Sequence, residues 1–417
     1  MMSQKESNFT TDALSKQEKK LFDRQLRLPG WNQKILKDST VLIVGVGGLG
    51  VEIAKNLAMV GVGHLILVDM DTIEYSNLNR QILFIGAPEG SYKAEMAARK
   101  LKEINPFIKV TFFNKYVQDI DPEIFQQSDL YIAGLDNVKA RLEMNRRAIH
   151  NNRPLIDAGT AAFNGHVYTV FPGDNACLDC DPMREREEDV LGACTLVGRP
   201  RKPIHCVLQA EQKFEEEHGR KPDPESDREM QWTLNTSNEI LIEHFPDEPK
   251  FSLDGIIKLV DAHEPTVITI NAVMASIQSQ EAIKILHHLK SAEHQKLGTL
   301  QKSYMIYNGL TGNWFKIEKP KNPKCEMCGN NAIPLFKIKV KSTVSLMKVI
   351  EKIIEKKSLA IDPDFPPDAF RIDNSEGMVS VDIDEPIVDT GIKNFETLFI
   401  SGFEDEKSIY LQLKLEV

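Results

Sequence analysis

The sequence has no long hydrophobic run, no excess of positive charge and no secretory leader pattern, and each absence excludes a class of protein. No stretch approaches the roughly 18 consecutive apolar residues that a membrane-spanning helix needs. The N-terminal residues MMSQKESNFTTDALSKQEKK lack the apolar core of a signal peptide. A net charge of −10 over 417 residues disfavours nucleic acid and anionic membranes, which both select basic surfaces. We therefore expect a cytoplasmic globular protein with no nucleic-acid or membrane partner.

The Walker pattern G-x-x-x-x-G-K-[ST] is also missing, which excludes a P-loop enzyme, but another glycine pattern is present. The turn GVGGLG (45–50) follows a predicted buried strand over 41–44 and precedes a predicted helix. A second predicted strand, over 65–68, is followed by Asp69 at the spacing expected of a ribose-binding carboxylate. Glycines let the backbone approach phosphate, and the helix N-terminus supplies N–H groups. This arrangement predicts a nucleotide site.

The residues that follow favour ATP over NAD. Arg80 and Lys93 come soon after Asp69, and Asp136 follows a predicted strand over 130–133. Two cations beside a carboxylate that can hold Mg²⁺ suit phosphoryl chemistry, in which charge stabilisation dominates. An NAD dehydrogenase is the alternative, and it is disfavoured because no hydride-transfer site is recognisable.

Cysteine is scarce, and four of the six cysteines form two C-x-x-C pairs. Two such pairs provide the four thiolates of a tetrahedral structural zinc site, which leaves no open position for chemistry. A redox C-x-x-C and two unrelated turns are the alternatives. The proposed zinc ligands are Cys177, Cys180, Cys325 and Cys328.

Several segments, in order over about residues 20–330, resemble the ubiquitin-activating enzyme superfamily of ThiF/MoeB type. They are FDRQLRLPGW (22–31), VLIVGVGGLG (41–50), LVDMDTIEYSNLNRQ (67–81), GLDN (134–137), the two C-x-x-C pairs and NAVMASIQSQEAIKIL (271–286). In this family an α/β, Rossmann-like domain uses MgATP to adenylate the C-terminal glycine of a ubiquitin-like protein. A Cys₄ zinc site is also a family feature.

The resemblance implies roles for individual residues. Phosphate would be lined by Gly45, Gly47, Gly48 and Gly50, and contacted by Asn77, Arg80 and Lys93. Asp69 would hold the ribose and Asp136 the Mg²⁺, while Arg80 and Lys93 would also stabilise the transition state.

Residues 194–206, CTLVGRPRKPIHC, resemble the segment of SUMO- and NEDD8-activating enzymes that carries the thioester-forming cysteine. The resemblance makes Cys194 the nucleophile and Cys206 structural, although without it two buried, unreactive cysteines would be the default. His205 could act as a base, but no partner acid is visible, so we interpret it as structural. The nearby cations Arg199, Arg201 and Lys202 would favour a thiolate if they lie close to it.

The resemblance and the element pattern together predict three domains. An adenylation domain with the zinc site covers 1–193 and 264–330, and a small helical cysteine domain covers 194–263. Helices are expected around 207–217, 237–245 and 266–289. In 334–417, a strand over 336–340, a helix from Thr343 and further strands such as 408–415 predict a β-grasp ubiquitin-fold domain that recruits a conjugating enzyme.

Arg24 lies in FDRQL, a segment that the cysteine-bearing subunits of the SUMO and NEDD8 systems lack. In those systems a partner subunit supplies this arginine to the ATP site in trans. Its presence here, on the same chain as Cys194, predicts a homodimer in which Arg24 of each protomer completes the other's site. A plain surface arginine on a helix is the alternative.

These observations predict an enzyme that adenylates a ubiquitin-like modifier, takes it onto Cys194 as a thioester and passes it to a conjugating enzyme. One alternative is a sulfur-carrier adenylyltransferase that stops at the acyl-adenylate and would not need the 334–417 domain. Another is an inactive partner subunit, which the complete set of predicted site residues disfavours.

Overall fold

A computed structural model describes residues 14–180, 203–218, 220, 222–224, 226–260, 266–291, 297–330, 332–357, 359–373 and 377–416. The chain divides into two units, one made of residues 1–180 and 266–417 and the other of residues 181–265. In these described ranges, no helix combines the length and the apolar character that crossing a membrane requires.

The first unit is built on an eight-stranded sheet. Its strands are β1 (Thr40–Val44), β2 (His64–Val68), β3 (Lys109–Phe113), β4 (Leu130–Ala133), β5 (Leu155–Ala161), β6 (Asn164–Val170), β7 (Tyr304–Asn308) and β8 (Asn313–Ile317). The order is β3-β2-β1-β4-β5-β6-β7-β8, with β1 to β5 parallel and β6 to β8 antiparallel to their neighbours. The strands predicted over 41–44, 65–68 and 130–133 are confirmed.

Helices cover both faces of this sheet, which is why its central strands are apolar on both sides. Val41 and Ile43 of β1 pack into one apolar cluster, and Leu42 and Val44 pack into the other. The helices of this unit are α1 (Lys16–Leu21), α2 (Asp23–Leu26), α3 (Gln33–Lys37), α4 (Gly48–Val60), α5 (Lys93–Ile104), α6 (Pro122–Gln127), α7 (Val138–Asn151) and, after the second unit, α11 (Ile268–Lys290). Helices α4, α5 and α11 contribute to the first cluster, and α6 and α7 to the second.

The second unit is helical in the part that the structure describes. Its helices are α8 (Ile204–His218), α9 (Asp227–His244) and α10 (Leu253–Val260). Helix α9 begins at Asp227 rather than near position 237, because Met230 and Thr233 extend the buried stripe of Ile240 and Leu241 by two turns. A helical insertion is what the sequence predicts here.

The C-terminal part of the first unit forms a five-stranded sheet with one helix packed on it. Its elements are β9 (Leu335–Lys341), α12 (Leu346–Lys357), β10 (Asp368–Asp373), β11 (Gly377–Val381), β12 (Thr397–Phe403) and β13 (Lys407–Glu416). The order is β11-β10-β12-β13-β9, and β13 pairs with β9 in parallel and with β12 antiparallel. Leu346, Val349 and Ile350 of α12 pack into the apolar core of this sheet. A second sheet with one helix packed on it is compatible with the predicted C-terminal domain.

Strand β13 also contacts the helices that cover the eight-stranded sheet. The Gln412 Nε2 atom donates to Asn151 Oδ1 at 3.1 Å, and the Tyr410 ring lies 4.6 Å from the His150 ring. Asn394, in the loop before β12, donates to Glu123 of α6 at 2.6 Å. These contacts between the C-terminal sheet and helices α6 and α7 are made by polar and aromatic side chains.

Candidate active site

The glycine turn between β1 and α4 is held in a shape that side chains would prevent. Gly45 has a φ of +85°, and a Cβ on it would lie 2.4 Å from the carbonyl oxygen of Gly134. A Cβ on Gly50 would lie 1.9 Å from the carbonyl oxygen of Gly45. Gly47 is the N-cap of α4 and offers no side chain to its first N–H groups. These N–H groups and the helix dipole favour an anion at the turn.

Asp69 lies directly after β2 and is bound to this turn. Its Oδ2 accepts from the Val46 N–H at 2.6 Å, and its Oδ1 accepts from the Asp71 N–H at 2.8 Å. Burial raises the pKa of Asp69, and the two backbone hydrogen bonds counteract that effect. The carboxylate is therefore oriented beside the glycines, where the sequence predicts a ribose.

Arg80 reaches the same place from the segment that follows β2. Its Cδ lies 3.8 Å from the position that a Cβ on Gly48 would occupy. Its guanidinium donates to the Ser76 carbonyl at 2.9 Å and to Asn79 Oδ1 at 3.1 Å. Asn77 is buried, and its Oδ1 has no hydrogen-bond partner among the described residues.

Lys93 begins α5 and is almost fully buried. Its ammonium group donates to Asp71 Oδ2 at 2.9 Å, and the Asp71 side chain is 55% exposed. Asp71 was not among the predicted site residues. Because Asp71 also donates its N–H to Asp69, it links the Lys93 cation to the Asp69 carboxylate.

The loop after β4 meets the glycine turn at Gly134. Its N–H donates to the Val44 carbonyl at 2.9 Å, and its carbonyl is the one that a Cβ on Gly45 would strike. Asp136 is exposed in this loop, and Asn137 caps α7 by accepting from the Ala140 N–H at 2.8 Å. Thus the carboxyl ends of β1, β2 and β4 bring the turn, Asp69 and this loop to one edge of the sheet.

Three buried amides near this edge were missed by the sequence analysis. Each has an atom without a hydrogen-bond partner among the described residues: Gln81 Oε1, Asn271 Nδ2 and Gln278 Oε1. Gln278 donates to the Ala133 carbonyl at 3.1 Å, at the end of β4. Asn271 and Gln278 lie seven residues apart in α11, a spacing that places them on the same face of the helix, and that spacing was the available signal.

The two cysteine pairs converge in the structure. Their four sulfurs lie within 4.8 Å of one another, with 3.7 Å between Cys177 and Cys325 and 3.2 Å between Cys180 and Cys328. Sulfurs bound to one tetrahedral zinc ion would lie roughly 3.8 Å apart, given Zn–S bonds of about 2.3 Å. A hydrogen bond from Cys177 is the main reason that the pKa of Cys328 falls to about 5. The cluster could therefore hold a metal ion.

Other parts of the chain support the cysteine pairs. Asn145 of α7 accepts from the Leu178 N–H at 3.1 Å, and the Asn322 N–H donates to Cys180 Sγ at 3.4 Å. These contacts orient the turns on which the sulfurs lie.

The two remaining predicted catalytic residues are Cys194 and Arg24. Cys194 lies outside the described residues, as do Arg199, Arg201 and Lys202. Arg24 is exposed on α2. Cys206 and His205 are buried in α8, and burial raises the pKa of Cys206 to about 11, as expected of a structural cysteine.

The sequence is similar to a known protein family and to several characterised proteins. The ThiF family profile matches residues 22–327. The NEDD8-activating enzyme E1 catalytic subunit of Drosophila melanogaster is 32% identical over 76% of this chain and 71% of its own length. The corresponding subunit of Arabidopsis thaliana is 28% identical over 80% and 74%.

One similarity covers a smaller part of the chain, and another is to a solved structure. SUMO-activating enzyme subunit 2 of Dictyostelium discoideum is 35% identical over 44% of this chain and 28% of its own length. Among solved structures, E. coli MccB with succinimide is similar at 20% identity, with a TM-score of 0.48, over 78% of this chain and 76% of that one.

Proposed function

The chain belongs to the ThiF family, and from this premise we propose that it is an enzyme that activates a ubiquitin-like protein by ATP-dependent adenylation. The observation that carries this proposal is the single edge of the sheet where the glycine turn, Asp69 and Arg80 meet. The similarity to NEDD8-activating catalytic subunits supports a ubiquitin-like protein as the substrate.

In the first step, the C-terminal carboxylate of the modifier attacks the α-phosphorus of ATP. An acyl–oxygen–phosphorus bond forms, the bond to the bridging oxygen of pyrophosphate breaks, and pyrophosphate leaves. The N–H groups at the start of α4 bind the phosphates, and the Asp69 carboxylate accepts from the ribose hydroxyls. Arg80 and Lys93 stabilise the charge on the phosphoryl oxygens, for which Lys93 exchanges Asp71 for phosphate.

Two metal ions belong to the proposal. Asp136, exposed beside the glycine turn, would hold the Mg²⁺ that neutralises phosphate charge. Cys177, Cys180, Cys325 and Cys328 would hold a structural zinc ion, since four thiolates leave no open coordination position. The short distances between the four sulfurs support the zinc site.

In the second step, the Cys194 thiolate attacks the carbonyl carbon of the acyl-adenylate, AMP leaves, and a thioester forms. A thiolate attacks such an activated acyl group without a strong base. We place Cys194 in a cysteine domain over 194–263, and the helical content of 204–260 supports that boundary. The acyl group then passes to the thiol of a conjugating enzyme docked on 334–417.

The active assembly is proposed to be a cytoplasmic homodimer in which Arg24 acts in trans. The exposure of Arg24 in one protomer supports this, because a side chain that completes a neighbouring site must project from its own protomer. Reduced, metal-binding cysteines suit a cytoplasmic compartment.

A single gel assay tests the proposed function. The full chain is incubated with MgATP and a candidate ubiquitin-like protein and run with and without thiol. We expect an adduct that thiol removes and that is absent from Cys194→Ala, while Cys206→Ala still forms it. Pyrophosphate exchange without any adduct would instead identify a sulfur-carrier adenylyltransferase, and an adduct in Cys194→Ala would contradict the assigned nucleophile.

A further inference from the structure

Asn271 has a buried side-chain amide whose oxygen accepts hydrogen bonds but whose nitrogen has no acceptor among the described residues. It lies in the first turns of α11 and is 1% exposed. Its Oδ1 accepts from Thr160 Oγ1 at 2.8 Å and lies 3.0 Å from Thr266 Oγ1. Its Nδ2 has no hydrogen-bond partner within the described ranges. The two hydroxyls fix the orientation of the amide, so its NH₂ group points away from them.

The unsatisfied NH₂ group points at the glycine turn. A Cβ on Gly48 would lie 2.3 Å from Asn271 Nδ2 and 3.2 Å from its Cγ. The amide therefore packs directly against the first residue of α4, where only glycine leaves room for it. Arg80 approaches the same point. Two kinds of donor thus meet there, the first N–H groups of α4 and Asn271 Nδ2, and the Arg80 side chain passes beside them through its Cδ.

A buried donor without an acceptor is costly, and native proteins contain few of them. Donors that face one another without an acceptor form an anion site, because a single oxyanion can satisfy them together. On the basis of the proposed function, we propose that Asn271 is a phosphate-binding residue whose NH₂ group donates to a phosphoryl oxygen of the nucleotide at the start of α4. Thr160 and Thr266 are its positioning residues.

Substitution of one atom tests this role. Asn271→Asp keeps the size of the side chain and an oxygen to accept from Thr160, but replaces the NH₂ donor by oxygen. Ser279→Ala is the matched control, because Ser279 is a buried polar residue of the same helix whose hydroxyl donates to the Ala275 carbonyl. Binding of ATP with Mg²⁺, AMP and adenosine to the full chain is measured by calorimetry, and folding is checked by thermal melting.

We expect Asn271→Asp to bind ATP and AMP about tenfold or more weakly than the wild type, because it loses a hydrogen bond to a charged group and also places a carboxylate beside the phosphate. Adenosine, which has no phosphate, should bind unchanged, and Ser279→Ala should bind all three ligands like the wild type. Thr160→Val removes the hydroxyl that orients the amide and adds no charge, so it separates the loss of the donor from repulsion. It should also weaken ATP binding and leave adenosine binding unchanged, and it replaces Asn271→Asp if that variant does not fold.

Two outcomes overturn the assignment. An ATP affinity of Asn271→Asp equal to that of the wild type would show that the NH₂ group does not contact phosphate. A weaker affinity that appears only when a carboxylate substrate is added would show the same. A parallel loss of all three ligands would show a purely structural role. In both cases the wild type still binds ATP, so the proposed function stands. If the wild type binds neither ATP nor AMP, both proposals fall.

Discussion

At the scale of the residue, the glycines of the turn differ in what a side chain would meet. A Cβ on Gly50 would lie 1.9 Å from a backbone oxygen, whereas on Gly47 its nearest neighbour would be the flexible end of Gln81 at 3.9 Å. Gly47 has a φ of −80°, which any residue adopts. In the glycine turn, Gly50 is therefore among the positions that are closed to a methyl group, whereas Gly47 is open.

We expect Gly50→Ala to lower the free energy of unfolding by about 2 kcal/mol or more, because the backbone must move to admit the methyl group. Gly47→Ala should change it by less than about 0.5 kcal/mol. Urea unfolding of both variants and the wild type measures the difference. Equal destabilisation by the two substitutions would contradict the packing described here.

Individual site residues were predictable when a local pattern contained them. The glycines and Asp69 follow from strand, turn and helix spacing within about thirty residues. The contacts of Asn271 and Lys93 were not predicted. Asn271 meets Thr160 and Gly48 across more than a hundred positions of sequence, and Lys93 meets Asp71 because the start of α5 returns to the segment after β2. Only the folded chain brings such residues together.

At the scale of the element, the cysteine cluster ties the turn after β6 to the loop after β8. Neither pair lies in a long helix or strand; Cys180 ends a single 3-10 turn. Such short segments make few contacts of their own, so a shared metal ion would supply much of their stability. The pairing was predictable because each C-x-x-C turn directs two sulfurs to one point, and two such turns together supply four ligands.

We expect one equivalent of zinc per chain in the wild type, and its loss in Cys325→Ser together with a lower melting temperature. Cys206→Ser is the matched control, because Cys206 is equally buried but lies outside the cluster. Metal analysis by mass spectrometry and thermal melting give the two measurements. Full zinc content in Cys325→Ser would refute the proposed ligand set.

The lengths of the elements were less predictable than their types. The three parallel strands that the sequence predicts, β1, β2 and β4, agree with the structure within a residue, because buried apolar runs between polar turns have sharp ends. The helix predicted around 237–245 is shorter than α9 in the structure, because the first turns of α9 are rich in charge and resemble a loop. Its buried face is visible only in the packed unit.

At the scale of the whole molecule, the proposed dimer makes each active site depend on two chains. Arg80 of one chain would then act in that chain's own active site, whereas Arg24 of the same chain would act in the active site of its partner. Two-fold symmetry makes the two chains, and therefore the two active sites of such a dimer, equivalent.

Mixing two inactive variants tests this arrangement. Arg24→Ala and Arg80→Ala should each lose pyrophosphate exchange, while an equilibrated mixture should recover about a quarter of the wild-type rate, because half of the dimers are mixed and each has one complete site. Exchange is assayed with a modifier that the wild type accepts, and sedimentation reports the dimer. No recovery in mixed dimers would place Arg24 in its own protomer's site or outside any site.

The position of β13 in the C-terminal sheet has a consequence for biosynthesis. This strand lies between β12 and β9, so β9 has no hydrogen-bonded neighbour in its sheet until residues 407–416 leave the ribosome. Until then the apolar faces of β9 and α12 are open to chaperones. A nonsense codon or a proteolytic cut just before β13 would therefore leave two separated fragments of sheet and would also remove Gln412, which binds α7.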